Sequence, residues 1–378
     1  MAEPILVVIF LRGGVDGLNL ICPSGDTDLI AARPPDLRVA RSGDDAGFIL
    51  QDQAADVDFR FHPRARALSE LFGAGELAVI HAAGLTDGTR SHFDAEDRME
   101  RASRVSVSGG WLGRWLLAND PEGDLPALAV GNNAPESLRG GGGVPVAENL
   151  DGLILPAGHD LAHQIGRQML DGFSGHSLIE PQVRKLIGLS QLLTDRLTDP
   201  DTGERQDYRT EVTYPDGPLA RSLRTIAQAV KLDLGLRVAT ADYGGWDTHI
   251  NQKDEFAQHT DHLSEALMAF WKDMGDTRDR MTVVLMSEFG RRLRSNTAGG
   301  TDHGYGNAMM VLAGQLRGGK MLGRWPGLGN DELDKGADLA ITTDYRTVLS
   351  EVLGAHMGTA NLDRIFPDFE AEQLGLFS

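Results

Sequence analysis

Five short phrases concentrate Asp, Glu, His, Ser and Gly where an alternating strand-and-helix chain would gather them. Arg12-Gly13-Gly14-Val15-Asp16-Gly17 follows the apolar run Ile5–Leu11. Glycines around an acid let the backbone fold tightly while the carboxylate points into a crevice, and the same pattern also makes a self-bonded Asp-Gly turn. In Thr89-Arg90-Ser91-His92, Ser91 is either a helix N-cap or a nucleophile at the positive end of a helix, beside Arg90. Gly244-Gly245-Trp246-Asp247-Thr248-His249 offers a carboxylate and an imidazole in a glycine-rich loop, donors suited to Zn²⁺, Mn²⁺ or Fe²⁺. Ser287-Glu288-Phe289-Gly290-Arg291-Arg292 and Gly299-Gly300-Thr301-Asp302-His303-Gly304 add an acid and a histidine beside two further apolar runs. Arg291, Arg292 and Arg294 supply positive charge for an anionic substrate, or form a plain basic helix start. His259 and His262 share a helical stripe with Phe256, Leu263, Leu267 and Phe270, which reads as packing or solvation, not metal ligation.

The elements that must position these phrases follow from hydrophobic patterning. Short apolar runs at Ile5–Leu11, 77–82, Ala127–Val130, 236–241, Met281–Met286 and 308–312 read as buried strands. Helical periodicity falls at 64–72, 95–102, 111–117, 161–170, 182–197, 219–230, 253–273 and 345–356, the last with Asp344 as its N-cap. Apolar strands separated by helices predict an α/β fold with a mostly parallel central sheet flanked by helices on both faces. In such sheets ligands bind beyond the carboxyl ends of the strands, where most of the five phrases fall. A single domain spanning 1–378 is expected, with loop insertions near 131–147 and 198–215. Within the first, Gly140–Gly143 reads as a solvated loop, with a mobile lid as the alternative.

Composition removes several classes of function. The chain has 378 residues, with 36 Lys plus Arg against 55 Asp plus Glu, a formal net charge of −19. Such a surface repels nucleic acid and anionic membranes. Cys22 is the single cysteine, so neither a disulfide framework nor a cysteine metal cluster forms. No run of 18 apolar residues occurs, so no membrane span is expected. The run Ile5–Leu11 follows Glu3 and Pro4 instead of a basic segment, which is unlike a signal peptide. The chain is therefore expected to be cytoplasmic or a mature exported protein without its leader.

The phrases FLRGGVDGLN (10–19), RSHFDAEDRME (90–100), GGWDTHINQ (244–252), SEFGRR (287–292) and TDHGYGNAM (301–309), taken in this order, resemble the bacterial family known as domain of unknown function 1501. That family is similar to the alkaline phosphatase superfamily of phosphatases, sulfatases, phosphodiesterases and cofactor-independent phosphoglycerate mutases. The resemblance implies an alkaline-phosphatase-like α/β sandwich, usually two divalent metals, and a nucleophile at a helix start. It also implies a periplasmic or exported location, since family members often leave by the twin-arginine route. Position by position, Asp16 matches the first metal-binding acid, Ser91 the nucleophile, Asp247 and His249 an Asp-and-His pair, and His303 the late histidine. At Glu288-Phe289 the superfamily commonly has Asp-His; Glu can ligate and Phe cannot.

Three functions are open on this reading. The first is a metal-dependent hydrolase of phosphate or sulfate esters on a small-molecule, glycan or peptide substrate. Asp247, His249 and His303 would bind zinc or manganese, Asp16 and Glu288 would hold a second ion or orient Ser91, and Arg90 and Arg291 would offset developing charge. The second is a single-iron oxidative enzyme built on two histidines and one carboxylate. The third is a non-catalytic binding or assembly partner in an exported complex, with Phe289 marking a decayed site.

Overall fold

The computed structural model describes residues 3–51, 57–156, 159–172, 179–199 and 201–377. β1 (Ile5–Leu11) leads to a small sheet of β2 (Ile21–Pro23), β3 (Phe48–Ile49) and β4 (Phe59–Phe61). Next come β5 (Leu77–Gly84), β6 (Ala127–Val130), β7 (Val146–Ala147), β8 (Val238–Tyr243) and β9 (Met281–Met286). β10 (Arg291–Ser295) and β11 (Thr301–His303) form a two-stranded sheet, and β12 (Asn307–Ala313), β13 (Met321–Leu322) and β14 (Thr343–Asp344) follow. The helices that matter here are α1 (Gly17–Leu20), α2 (Thr27–Ala32), α3 (Arg66–Gly73), α4 (His92–Arg101) and α5 (Trp111–Asn119), then α6 (His159–Asp171), α7 (Glu180–Leu197), α8 (Pro218–Lys231), α9 (Gln252–Met274) and α10 (Tyr345–Glu351).

The main sheet has nine strands in the order β13-β5-β12-β9-β1-β8-β6-β7, with β14 also on β5. β1 lies at its middle, parallel to β8 and β9, with Val8 level with Thr240 on one side and Val284 on the other. Its alternating side chains divide between two apolar layers. Ile5, Val7, Ile9 and Leu11 pack with Leu223 and Ile226 of α8 and Leu267 and Phe270 of α9. Leu6, Val8 and Phe10 pack with Trp111 and Trp115 of α5 and Val348 of α10. The expected α/β architecture is thus present: burial on both faces explains why β1 is a continuous apolar run.

One strand runs against the rest. β12 pairs antiparallel with both β5 and β9. The chain leaving β9 turns back through the β10–β11 hairpin, so no helical crossover is needed to reverse it. Two consequences follow. The basic stretch at Arg291 is strand, not the helix start that its charge pattern left open. The amino end of β12 also lies beside the carboxyl ends of its neighbours, which carries His303 to the rim where the parallel strands end.

The 198–215 stretch, of which residue 200 lies outside the described residues, is tied to α9 by one acid. Asp273 accepts hydrogen bonds from the Tyr208 hydroxyl at 2.7 Å, the Tyr214 hydroxyl at 2.9 Å and Thr210, and pairs with Lys231 of α8. Burial acts to raise its pKa, but these donors outweigh it and hold the carboxyl below its usual range. Gly140–Gly143 is largely exposed. Among the described residues, no helix is long and apolar enough to cross a membrane.

Two outcomes follow. Asp273→Ala strands two tyrosine hydroxyls and Lys231, so it should cost about 2–4 kcal/mol in denaturant unfolding and open 201–217 to limited proteolysis; unchanged cleavage there would refute the tether. His81, buried with its Nε2 on the Ile21 carbonyl and its Nδ1 accepting from the Ala82 N–H, is pushed down to about 4 by burial. Because the unfolded chain binds that proton first, stability falls as pH drops from about 6.5 towards 4. His81→Gln should remove about 2 kcal/mol of the loss between pH 7 and pH 5, as read by unfolding at the two pH values.

Candidate metal centre

The site forms where β1, β8 and β9 end and β12 begins. Gly13 has φ +115°, and a Cβ there would lie 2.6 Å from the backbone nitrogen of Asp247. Only glycine lets the loop after β1 approach the loop after β8 this closely. Gly290 meets the backbone of Gly306 in the same way, with a Cβ 2.0 Å from its carbonyl oxygen. These close approaches draw the separate phrases into one rim.

Arg291 ties the loops together. Its side chain is fully buried, and its guanidinium donates to the carbonyls of Gly13, Gly14, Trp246 and Thr301 and, at 2.7 Å, to Asp247 Oδ1. Burial acts to raise the pKa of Asp247, but its polar neighbours, the Arg291 hydrogen bond and charge among them, outweigh it and hold the carboxyl below its usual range. Asp247 is therefore a carboxylate whose orientation is set from behind, with its side chain half exposed on the other side.

Three imidazole rings surround it. His303 places Nδ1 2.8 Å from the Arg90 carbonyl oxygen and Nε2 3.0 Å from Asp247 Oδ1. His249 places Nδ1 3.0 Å from Asp302 Oδ1, with Nε2 3.0 Å from Asp247 Oδ1 and 2.8 Å from His303 Nε2. His92, the first residue of α4, places Nδ1 2.7 Å from Glu288 Oε1. Its Nε2 is buried without a hydrogen bond, 3.4 Å from Asp247 Oδ2. The bond with Glu288 raises the His92 pKa against the effect of burial, and bonds from Asn296 and His249 lower that of Asp302.

Each outer nitrogen faces an oxygen that can only accept, so each ring carries its proton on Nδ1. The inner nitrogens then turn lone pairs towards Asp247, and the facing Nε2 atoms of His249 and His303 can share at most one proton. That is the ligand arrangement of a metal-binding imidazole, with a carboxylate or carbonyl fixing the outer nitrogen. Ligand atoms of His92, Asp247 and His303 lie within 4.8 Å of one another. The edge of a tetrahedron with bonds of about 2.0–2.1 Å is about 3.3 Å, close to the 2.8–3.4 Å separations measured here from Asp247 and between His249 and His303. The residues present fit a divalent ion of borderline or hard character.

The residues singled out in the sequence divide accordingly. Asp247, His249 and His303 meet. Asp16 is fully buried and does not join them: Arg33 holds both of its oxygens, at 2.7 and 3.1 Å, and Gln252 donates to Oδ2 at 2.6 Å. Glu288 lies behind the His92 ring and is engaged by His92, the Gly13 N–H and the Ser287 hydroxyl. Arg90 pairs with Asp338 through one guanidinium nitrogen and contributes its carbonyl, while the Arg291 guanidinium is consumed by the loops. Ser91 is exposed and precedes α4 without capping it. His92 and Asp302 were not among the expected site residues. Each stands next to one that was, inside the same phrase: Ser91, expected as the nucleophile, and His303, expected as a ligand.

Zinc titrated by calorimetry should bind, and a hundredfold excess over Kd should stabilise the fold by about 2.7 kcal/mol. His92→Ala, Asp247→Ala and His303→Ala should each weaken binding by at least about 100-fold, and Glu288→Gln by about 10–100-fold. Asp16→Asn should keep zinc affinity while costing about 3–5 kcal/mol of stability, because Arg33 loses its buried partner. Equal loss of zinc in Asp16→Asn and Asp247→Ala would contradict this division.

No curated protein matches the sequence. Solved structures resemble it at low identity. The C-terminal periplasmic domain of EcEptC from Escherichia coli, in complex with Zn, is 7% identical over 83% of this chain and 73% of that one, with a TM-score of 0.38. Ps i-CgsB in complex with k-i-k-neocarrahexaose is 11% identical over 99% and 75%, with a TM-score of 0.44. BT1596, a 2-O GAG sulfatase, is 8% identical over 98% and 76%, with a TM-score of 0.42. Residues 193–366, the segment that carries Asp247, His249, Glu288, Arg291 and His303, match the family described as "Protein of unknown function (DUF1501)".

Proposed function

We propose that the protein is a metal-dependent hydrolase of phosphate or sulfate esters, with Ser91 as nucleophile. One observation carries the reading: the inner nitrogens of His92, His249 and His303 meet the Asp247 carboxylate while oxygen acceptors hold every outer nitrogen. A divalent ion held there supplies a Lewis acid that polarises an ester oxygen and lowers the pKa of an attacking hydroxyl. His92, Asp247, His249 and His303 would hold it. Glu288, Asp302 and the Arg90 carbonyl keep the three rings aimed, and Arg291 keeps Asp247 turned towards them.

Ser91 enters through its position. It lies between Arg90, whose carbonyl engages His303, and His92, whose ring joins the cluster. Its hydroxyl is exposed and makes no capping bond to α4, so it is available for attack. The unsatisfied N–H groups of the first turn favour negative charge gathering there. The choice of phosphate and sulfate esters, and an exported location, rest on the resemblance to the alkaline phosphatase superfamily.

A second reading is favoured by the capture of Asp16 by Arg33. With that acid engaged, one ion remains, and His92, Asp247 and His303 form the two-histidine, one-carboxylate set of single-iron oxidative enzymes. Protein loaded with Zn²⁺ or Mn²⁺ should hydrolyse aryl phosphates or aryl sulfates, and Ser91→Ala should lower kcat by at least about 10³-fold with metal content intact. Unchanged kcat in Ser91→Ala would move the attack to water. Inertness towards both ester classes, with iron bound and oxygen consumed, would favour the second reading.

A further inference from the structure

The metal centre lies where β1, β8 and β9 end. Next along the sheet, where β6 and β8 end, is a separate cleft of about 580 Å³. It is lined by Val130 of β6, by Thr240, Ala241 and Asp242 of β8, by stretches within 131–135, 148–151 and 206–208, and by α8 from Pro218 to Gln228. Its size is that of a small-molecule site, and open α/β sheets bind ligands beyond the carboxyl ends of their strands. One wall is held in place from outside, since the Tyr208 hydroxyl donates to Asp273 at 2.7 Å.

Most side chains lining this cleft are polar, and those left without a partner are of one kind. Among the described residues, the side-chain amides of Asn132, Asn133 and Gln228 and the hydroxyls of Ser222 and Thr240 make no hydrogen bond within the chain. Amides and hydroxyls both donate and accept. A ligand that satisfies them must do both as well, which a carboxylate, a phosphate or an ammonium group does not. The charges point the same way. Of the four acids in the lining, Asp151 pairs with Arg205 and Asp242 with Arg12. Glu148 and Asp207 then stand against Arg221 and Arg224, the latter also donating to the Tyr208 carbonyl at 2.8 Å. With two cations against two anions, a charged ligand of either sign meets as many like charges as opposite ones. Neutral hydroxyl groups accept from the guanidinium groups and donate to the carboxylates without that penalty.

We infer that this cleft binds a neutral polyhydroxylated ligand, a saccharide ring, at a site distinct from the metal centre. The inference stands apart from the hydrolase reading and needs no turnover to test. Glucose, galactose and mannose are titrated into zinc-loaded protein by calorimetry, each alongside its uronate and its 6-amino-6-deoxy analogue, which change only the group at carbon 6. At least one hexose should bind, and at least about tenfold tighter than either of its charged analogues. The double variant Asn132→Leu, Gln228→Leu should weaken that hexose by at least about tenfold with zinc affinity unchanged. Arg221→Gln should shift the order towards the amino sugar and Asp207→Asn towards the uronate, each by about tenfold. Asp247→Ala, with its zinc binding weakened, should hold the hexose as the parent protein does. Four results would each overturn the inference: no hexose bound, a charged analogue bound as tightly as its hexose, an order that ignores Arg221→Gln and Asp207→Asn, or hexose binding lost in Asp247→Ala. The last would place the saccharide at the metal centre instead. Saccharide binding in a protein that hydrolyses no ester would leave the inference standing and count against the hydrolase reading alone.

Discussion

The centre depends on where three imidazole protons are held. Glu288, Asp302 and the Arg90 carbonyl each accept from one Nδ1, and no acceptor of this kind can turn round to donate. The protons are fixed on the outside and the lone pairs on the inside, facing a carboxylate that the hydrogen bonds of Arg291 keep ionised. Electron-rich atoms at such separations repel unless a cation lies between them. The arrangement is therefore costly for the chain alone and favourable with an ion, which is the sense in which it is built for one.

That geometry is held by a buried cation of the chain's own. Arg291 enters a fully buried position that would be expensive for an unpaired charge, yet its donors find the carbonyls of Gly13, Gly14, Trp246 and Thr301 as well as Asp247. The guanidinium thereby links the loops after β1 and β8 and the strand that leads to His303. Loops that would otherwise hold the ligands loosely are braced at one point, and glycines at 13 and 290 remove the side chains that would keep the backbones apart.

Asp16 shows the same economy with the opposite outcome. A carboxylate at the end of the central strand is well placed for an ion, but Arg33 reaches it from α2's carboxyl end with both forks engaged and also donates to the Arg292 and Leu293 carbonyls. Both carboxylate oxygens of Asp16 are thereby satisfied within the chain.

Much of the scaffold was legible in the chain itself, because burial on both faces of a parallel sheet writes itself as unbroken apolar runs. The strands at Ile5–Leu11, Ala127–Val130 and Met281–Met286 and the helices at 219–230 and 253–273 fall where periodicity puts them. Asp247, His249 and His303 could be picked out because metal-ligand residue types stood in glycine-rich loops at strand ends. Direction and partnership could not be read, since both depend on contacts between residues far apart in sequence. Nothing local told that β12 runs antiparallel, that Arg33 reaches back to Asp16, or that His92, not Ser91 or Glu288, turns a lone pair inward. Residue types and their order set which groups were available for coordination; the folded backbone alone decided which of them a buried guanidinium or a neighbouring oxygen claimed first.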